Sequence, residues 1–203
     1  MSYNKCMKFG AYLILIFSAF AFILSGYKLF LVYTHPLKYK EEIEEYSRIY
    51  DLPSDLIASV INVESSFDEK AKSSKGAIGL MQIKYSTAEY IVKYYSSNDY
   101  LSTKNLENVN ENNISLTSEN DLFNPKINIE IGCMYLRYLL DKFSVLDTAL
   151  ASYNAGETRV RVWLNDSNYS QDSKTLYNIP YKETKNYVKK VNNNINYYKK
   201  LFA

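Results

Sequence analysis

The feature that most constrains the fold of this chain is an apolar run from Gly10 to Tyr33, in which Lys28 is the one charged residue. A helix over this run would be roughly 36 Å long at about 1.5 Å per residue, which exceeds a bilayer hydrocarbon core of about 30 Å. We therefore predict a transmembrane helix over residues 10–33. A cleaved signal peptide is the alternative, but the run is longer than a signal peptide usually carries and no Ala-x-Ala site follows it.

The charges on either side of the apolar run predict its orientation. Two lysines and no acidic residue lie in segment 1–9, whereas an acidic stretch that ends at Glu45 lies beyond the run. This asymmetry favours a cytoplasmic N-terminus, a single membrane pass and a folded part on the extracytoplasmic, cell-wall side of the cell membrane. Cys6 and Cys133 would then lie on opposite sides of the membrane, so we expect no disulfide between them.

The composition excludes several classes of protein. The chain of 203 residues has 24 basic and 22 acidic side chains, and this near balance argues against a nucleic-acid partner. Apolar residues make up 47% of the chain, which is enough to bury a core. One histidine and two cysteines are too few for a structural zinc site, so we expect no metal and no cofactor.

Apolar spacing beyond the membrane segment predicts an all-α fold. We expect a juxtamembrane helical segment over 34–45, opened by Pro36, and one folded domain over 46–203. Within this domain, residues 96–120 are rich in Asn and Ser and are predicted to be an insertion. No convincing alternating strand pattern is present. The spacing predicts five helices, at Leu56–Ser65, Ser86–Tyr95, Ile127–Phe143, Leu146–Ala155 and Pro180–Leu201.

Glu64 is the candidate catalytic acid. Ile57, Val60, Ile61 and Glu64 are spaced at i, i+3, i+4 and i+7, so a helix that buries the aliphatic side chains carries the carboxyl on the same face. A carboxyl that loses hydration there has a raised pKa and can hold and donate a proton near neutral pH. Periodicity alone favours a different interpretation, a helix-end glutamate that turns into solvent or caps a neighbouring segment.

Two further segments are typical of a binding cleft. Gly76–Ile83 has two glycines, which permit positive φ and close backbone approach, and it carries the Gln82 amide. Ala151–Gly156 ends a helical pattern, with Gly156 placed as a helix cap and Tyr153 offering an aromatic ring with a polar tip. Taken singly, the first segment is better explained as a structural loop, and the second is compatible with a packed helix end.

Together these segments resemble the transglycosylase SLT family, the lysozyme-like domain of lytic murein transglycosylases. The resemblance covers about 150 residues, from near Tyr46 to the C-terminus. It implies a mainly helical lysozyme-like domain that cleaves the β-1,4 bond between N-acetylmuramic acid and N-acetylglucosamine in peptidoglycan. The matching segments, in chain order, are Val63–Phe67, Gly76–Ile83, Asp121–Pro125, Ala151–Gly156 and Ile179–Tyr187.

The resemblance also implies roles for single residues. Glu64 would be the sole catalytic acid and base, and Ser65 the hydroxyl that accompanies it. The remaining implied residues would bind substrate: Gln82, Tyr153 and Asn154 along the glycan cleft, Tyr187 near the catalytic carboxyl and Glu183 on the peptide-bearing side. The chain departs from the family at Lys84 and Tyr85, where Met-Pro commonly stands.

This inventory leads to a mechanism with one carboxyl group. Ordinary glycosidases use two carboxyl groups, and no second one accompanies the matched motifs of the first cleft wall. The muramic acid would therefore supply its own acetamido oxygen and 6-hydroxyl, and the product would be a 1,6-anhydromuramic end. Two alternatives stay open: a hydrolase that resembles goose-type lysozyme, and a membrane-tethered scaffold that binds peptidoglycan without cutting it.

Overall fold

The computed structural model describes residues 3–97, 114 and 116–202, and the chain divides into two compact units, Met1–Pro36 and Leu37–Ala203. The first unit is built on one helix, α1 (Tyr3–Thr34). Its stretch Leu15–Thr34 is apolar and long enough to cross a membrane. Large apolar side chains are exposed along it, including Phe17 and Phe22 at 75% and 80%. The predicted helix over 10–33 is therefore present, although it begins earlier.

The second unit is mainly helical, as predicted. Its helices pack around one hydrophobic core, with α3 lying along α8 and α5 packing against α2, α4 and α6. Most of the predicted insertion 96–120 lies outside the described residues. The described residues of this unit form seven α-helices, α2 (Lys40–Tyr50), α3 (Ser54–Ser65), α4 (Tyr85–Ser97), α5 (Pro125–Phe143), α6 (Leu146–Ala155), α7 (Glu157–Leu164) and α8 (Lys182–Phe202).

The helix boundaries differ from the predicted ones by one or two residues in most cases. The first helix of this unit, α2, begins at Lys40 because Tyr39 adopts a left-handed backbone at φ 57°. Ile43 and Tyr50 of α2 are buried in the core. The predicted boundary between 45 and 46 falls inside this helix, and the division of the chain into domains stays a prediction.

Three described elements were not predicted, and one of them is a 3₁₀ helix at Glu119–Phe123. A short antiparallel hairpin joins β1 (Ala77–Ile78) to β2 (Ile83–Lys84), and strands of two residues are too short to give an alternating pattern. The eight-residue helix α7 follows Gly156 directly and buries Val160, Trp163 and Leu164. The helix opens with the polar run Glu157–Arg159, and its apolar residue Val162 is exposed, so α7 shows little apolar periodicity in the sequence.

Candidate active site

The C-terminal end of α3 carries Glu64 to the edge of the core. Ile57, Val60 and Ile61 are fully buried, as their spacing predicts, and Glu64 lies one turn further on, partly exposed. The helix ends one residue later, at Ser65, because Ser66 and Phe67 take positive φ angles of 53° and 64°. The carboxyl therefore sits where the backbone leaves the helix, between core and surface.

Burial changes the acidity of this carboxyl. Loss of hydration raises the pKa of Glu64 to about 7, an effect that a hydrogen bond from Tyr187 reduces and the nearby charge of Glu183 increases. The buried Tyr187 hydroxyl has no hydrogen-bond partner of good geometry among the described residues, so the hydrogen bond to Glu64 is a long or poorly aligned one. The hydroxyl nevertheless lies close enough to Glu64 to stabilise the carboxylate. Near neutral pH, Glu64 can exist with or without its proton.

Two buried tyrosines, Tyr153 and Tyr187, lie near the Glu64 carboxyl. Burial first, and then the charge of Glu64, hold the pKa of Tyr153 and of Tyr187 well above the usual value for tyrosine. Both side chains therefore stay neutral whenever Glu64 titrates. The Tyr135 ring packs against Tyr153 with the centroids 5.1 Å apart, so the aromatic surface continues along α5.

The Gly76–Ile83 segment, which we name the glycine loop, is held by side chains from three helices. Ser65 Oγ of α3 donates to the Leu80 carbonyl at 2.8 Å. Tyr153 of α6 donates its hydroxyl to the Met81 carbonyl at 2.9 Å. Asn128 of α5 accepts from the Met81 amide at 2.7 Å. The loop is thus fixed against the helix that carries Glu64 and against the one that carries Tyr153.

Asn128 is the centre of this arrangement. It is fully buried, and its amide nitrogen also donates to the carbonyls of Ile78 and Leu122 at 2.9 and 2.8 Å. Gly79 stands against this amide with φ 75°, and a Cβ at that position would overlap both the Asn128 amide and the Leu122 carbonyl. Only glycine combines this backbone angle with so close an approach.

The remaining predicted residues lie in three settings. Gln82 donates its side-chain amide to the carbonyl of Gly79 within the glycine loop at 3.0 Å and to that of Ala71, which precedes the loop, at 3.2 Å. Asn154 accepts a hydrogen bond from Thr184 at 2.8 Å, which ties the end of α6 to the start of α8. Glu183 is exposed. The structure therefore brings Glu64 together with Tyr153, Tyr187 and the charge of Glu183.

The chain also matches the model of a protein family. The transglycosylase SLT domain model matches residues 41–177, which is well over half of the chain. This chain belongs to the transglycosylase SLT domain family. The match contains Glu64, the glycine loop and the Tyr153–Asn154 segment.

Curated relatives of this SLT domain have lytic transglycosylase names. The soluble lytic murein transglycosylase of Salmonella typhimurium is 35% identical over 158 residues, covering 77% of this chain and 22% of that protein. The membrane-bound lytic murein transglycosylase E of Buchnera aphidicola from Acyrthosiphon pisum is 36% identical over 94 residues, covering 46% of this chain and 36% of that protein. The chain thus spans about a fifth to a third of these relatives.

Solved structures share the fold. A glutamate-to-glutamine inactive mutant of the lytic transglycosylase Slt from Pseudomonas aeruginosa superposes with a TM-score of 0.68 at 28% identity, covering 85% of this chain and 26% of that one. The 70-kDa soluble lytic transglycosylase of Escherichia coli gives a TM-score of 0.67 at 31% identity, covering 83% and 25%. The second unit therefore has the lysozyme-like fold of lytic transglycosylases.

The SLT domain contains site residues that sequence reasoning missed. One of them is Asn128, which holds the glycine loop. Asn128, Ile131, Gly132 and Tyr135 are spaced at i, i+3, i+4 and i+7, so the sequence pattern already indicates that Asn128 lies on the core-facing side of α5. Thr184, the partner of Asn154, gave no such signal, because its role depends on a contact between distant segments. Among the described residues, no group of three His, Cys, Asp or Glu side chains is arranged to hold a metal ion.

Proposed function

We propose that this chain is a membrane-anchored peptidoglycan lytic transglycosylase, which cleaves the β-1,4 bond between N-acetylmuramic acid and N-acetylglucosamine without consuming water. The proposal depends on one observation above all: the carboxyl at the end of α3 has lost hydration and its pKa is raised to about 7. An acid with this pKa can donate a proton at physiological pH and recover it in the next step. The names of the relatives support the same reaction class.

The first step is protonation of the leaving group. Glu64 gives its proton to the glycosidic oxygen, the bond from that oxygen to C1 of the muramic residue breaks, and N-acetylglucosamine leaves with a free 4-hydroxyl. The acetamido oxygen of the muramic residue stabilises the positive charge that develops at C1. Burial favours this step, because the proton donor is the neutral form of Glu64 and desolvation stabilises that form.

The second step closes a ring within the sugar. The Glu64 carboxylate removes the proton from the 6-hydroxyl, and the oxygen forms a bond to C1 as the acetamido oxygen releases it. Glu64 is then protonated again, and the product is a 1,6-anhydromuramic end. Between the two steps Glu64 is a carboxylate, and the hydroxyl of Tyr187 stabilises this form. No second protein carboxylate is needed.

The other residues would bind the glycan. We assign Ser65 and Gln82 to the first wall of the cleft, where both also hold the glycine loop by hydrogen bonds to its carbonyls. Tyr153 would offer its ring to a sugar face while its hydroxyl remains bonded to the Met81 carbonyl. Asn154 would contact the glycan beside Thr184, and Glu183 would face the peptide-bearing side.

The products decide between the proposal and its competitors. We expect purified full-length protein in detergent to release muropeptides from intact sacculi, and mass spectrometry to find 1,6-anhydromuramic ends. Reducing ends in their place would mean that water attacks C1, as in the hydrolase alternative. A protein that binds sacculi but releases no muropeptide at any pH would instead be a scaffold.

The pH dependence of turnover is a further prediction. Glu64 must be protonated at the start of the cycle, so kcat should be constant well below pH 7 and fall about tenfold per pH unit well above it. Replacing Tyr187 with Phe removes a group that lowers the pKa of Glu64, so this fall should move to higher pH. Tyr177→Phe, an exposed position, is the control and should leave the profile unchanged. A profile in which Tyr187→Phe moves the fall to lower pH would contradict the assigned contact.

The membrane anchor belongs to the same proposal. We assign Leu15–Thr34 to the lipid bilayer and the second unit to the cell-wall side, because its proposed substrate lies there. The membrane-bound name of one relative supports this assignment. Protease treatment of intact spheroplasts should digest the second unit, and digestion only after lysis would place it in the cytoplasm.

A further inference from the structure

The outward face of α8 is basic, and nothing assigned above uses it. All six lysines of this helix are exposed, whereas its buried residues, among them Tyr187, lie on the opposite side. One stripe carries four of the lysines, since the offsets between them are close to whole turns of an α-helix. The stripe consists of Lys182, Lys185, Lys189 and Lys200, and it is flanked by Lys190 and Lys199; we name all six the lysine face.

The lysine face has a single sign of charge. Glu183 is the one acidic residue of α8, and it lies about 100° away from Lys182 around the helix. Among the described residues, no carboxylate lies within ion-pair distance of any lysine of this face. A surface that serves solubility alone usually mixes charges of both signs. The face therefore offers unpaired positive charge to a partner.

The C-terminal end of this face lies beside the start of α2. Lys40 Nζ stands over the Phe202 ring, 5.5 Å from its centroid. Thr34, the last residue of the segment assigned to the bilayer, precedes Lys40 by a stretch of chain that spans at most about 21 Å. The connection therefore limits how far this end of α8 can lie from the lipid headgroups.

Acidic residues of α2 stand near that end, but most of the lysine face lies away from them. Glu44 pairs with Lys40 at 3.6 Å, and α2 itself packs on α3 and α5. Lys190 precedes Lys200 by about 15 Å along the axis of α8, and three more lysines of the face lie further still from α2. The acidic side chains of α2 therefore neutralise little of the face.

We propose that the lysine face docks on anionic lipid headgroups of the bilayer that holds the anchor, so that α8 lies along the membrane surface. Clustered lysines on an amphipathic helix suit such headgroups. The anchor makes the contact intramolecular, so a weak attraction is enough to keep it formed. An anionic wall polymer is the weaker candidate, because no part of the chain holds it next to α8. The inference rests on the proposed membrane anchor and not on the chemistry at Glu64.

Docking fixes the height of the active site above the bilayer. Tyr187, whose hydroxyl acts on Glu64, lies on the core-facing side of α8. A helix with its side chains is about 10–12 Å across, so the catalytic carboxyl lies little more than one helix diameter from the headgroups when the face is docked. The enzyme then cuts glycan at the membrane surface and not strands deeper in the wall.

The sole tryptophan of the chain, Trp163, provides a test that needs no turnover. Full-length protein is placed in nanodiscs that contain dansyl-labelled lipid, made either from phosphatidylcholine alone or from its mixture with phosphatidylglycerol. Energy transfer from Trp163 to the label reports how close the second unit lies to the bilayer. We expect transfer to be about twofold higher in the anionic discs, and about 0.5 M salt to remove the difference by screening.

Two triple substitutions that remove equal charge test the face itself. We expect the first to abolish the difference between the two kinds of disc and the second to retain it, because only the first removes lysines of the face. The first combines Lys185→Gln, Lys189→Gln and Lys200→Gln. The control, at exposed positions outside α8, combines Lys75→Gln, Lys93→Gln and Lys126→Gln.

The other outcomes overturn the inference in distinguishable ways. Equal transfer in both kinds of disc, or a difference that the control variant also loses, would show that the lysine face does not dock on lipid. Protection of its lysines from acetylation by added teichoic acid, but not by anionic lipid, would make a wall polymer the partner. Protein that enters neither kind of disc would refute the anchor as well. Failure to form anhydromuramic ends would refute the proposed reaction and leave the docking result unchanged.

Discussion

Replacing Glu64 with Gln is expected to reduce release of muropeptides about a thousandfold or more. The amide has nearly the same shape as the carboxyl but neither donates nor recovers a proton, and general acid and base catalysis by one side chain is worth roughly 10² to 10⁴ in rate. In the proposed mechanism Glu64 performs both proton transfers, so no other group replaces it. The measurement is the rate of product release from sacculi, beside circular dichroism of the same preparation.

The same substitution should stabilise the protein at alkaline pH. The folded-state pKa of Glu64 is raised from 4.5 to about 7, so the folded state binds this proton more tightly than the unfolded state. The contribution is favourable below pH 4.5 and is lost as pH rises through 7. Gln carries no such cost, and we expect Glu64→Gln to raise the free energy of unfolding by about 1–3 kcal/mol at pH 8, relative to its effect at pH 4.

Two outcomes would count against this role of Glu64. Turnover within a few fold of the native rate would show that another group donates the proton. A large fall in melting temperature at pH 8 would show that the carboxylate stabilises the fold. Glu89→Gln is a suitable control, because Glu89 is exposed on α4 and should change neither rate nor stability.

Replacing Asn128 with Leu should cause a large loss of stability. The change removes three hydrogen bonds and leaves the Met81 amide and the carbonyls of Ile78 and Leu122 buried without their partner. An unsatisfied buried backbone group costs about 1–3 kcal/mol, so we expect the free energy of unfolding to fall by about 3–5 kcal/mol. Chemical denaturation of full-length protein in detergent measures this change.

A second substitution distinguishes lost hydrogen bonds from lost packing. Asn128→Asp keeps the size of the side chain and its acceptor for the Met81 amide, but as a carboxylate it faces two carbonyl oxygens. Its protonated form can donate to one of them, so this variant should regain stability as pH falls, whereas Asn128→Leu should not. Asn193→Leu, at an exposed position of α8, should be nearly neutral. Equal destabilisation of both Asn128 variants at every pH would attribute the effect to packing alone.

The periodic spacing of apolar residues predicted much of the fold. Ile57, Val60 and Ile61 predicted the buried face of α3, and the residues between Leu146 and Ala155 predicted α6 with its observed bounds. Such helices are readable because one face is apolar over several turns. The helix α7 and the β1–β2 hairpin were not predicted, because eight residues and two-residue strands provide too few positions for a period.

The sequence by itself determined the family, an apolar helix long enough for a membrane, the helical class and a glutamate at the core-facing end of α3. Whether this glutamate turned into solvent or stayed against the core was left open. The tertiary structure decided it, because the burial that raises the pKa of Glu64 comes from segments far apart in the chain, among them the one that contributes Tyr187. It also decided that Asn128 holds the glycine loop and that the end of α8 lies beside Lys40. Desolvation and hydrogen bonding depend on distances in space, and no pattern within one helix contains them.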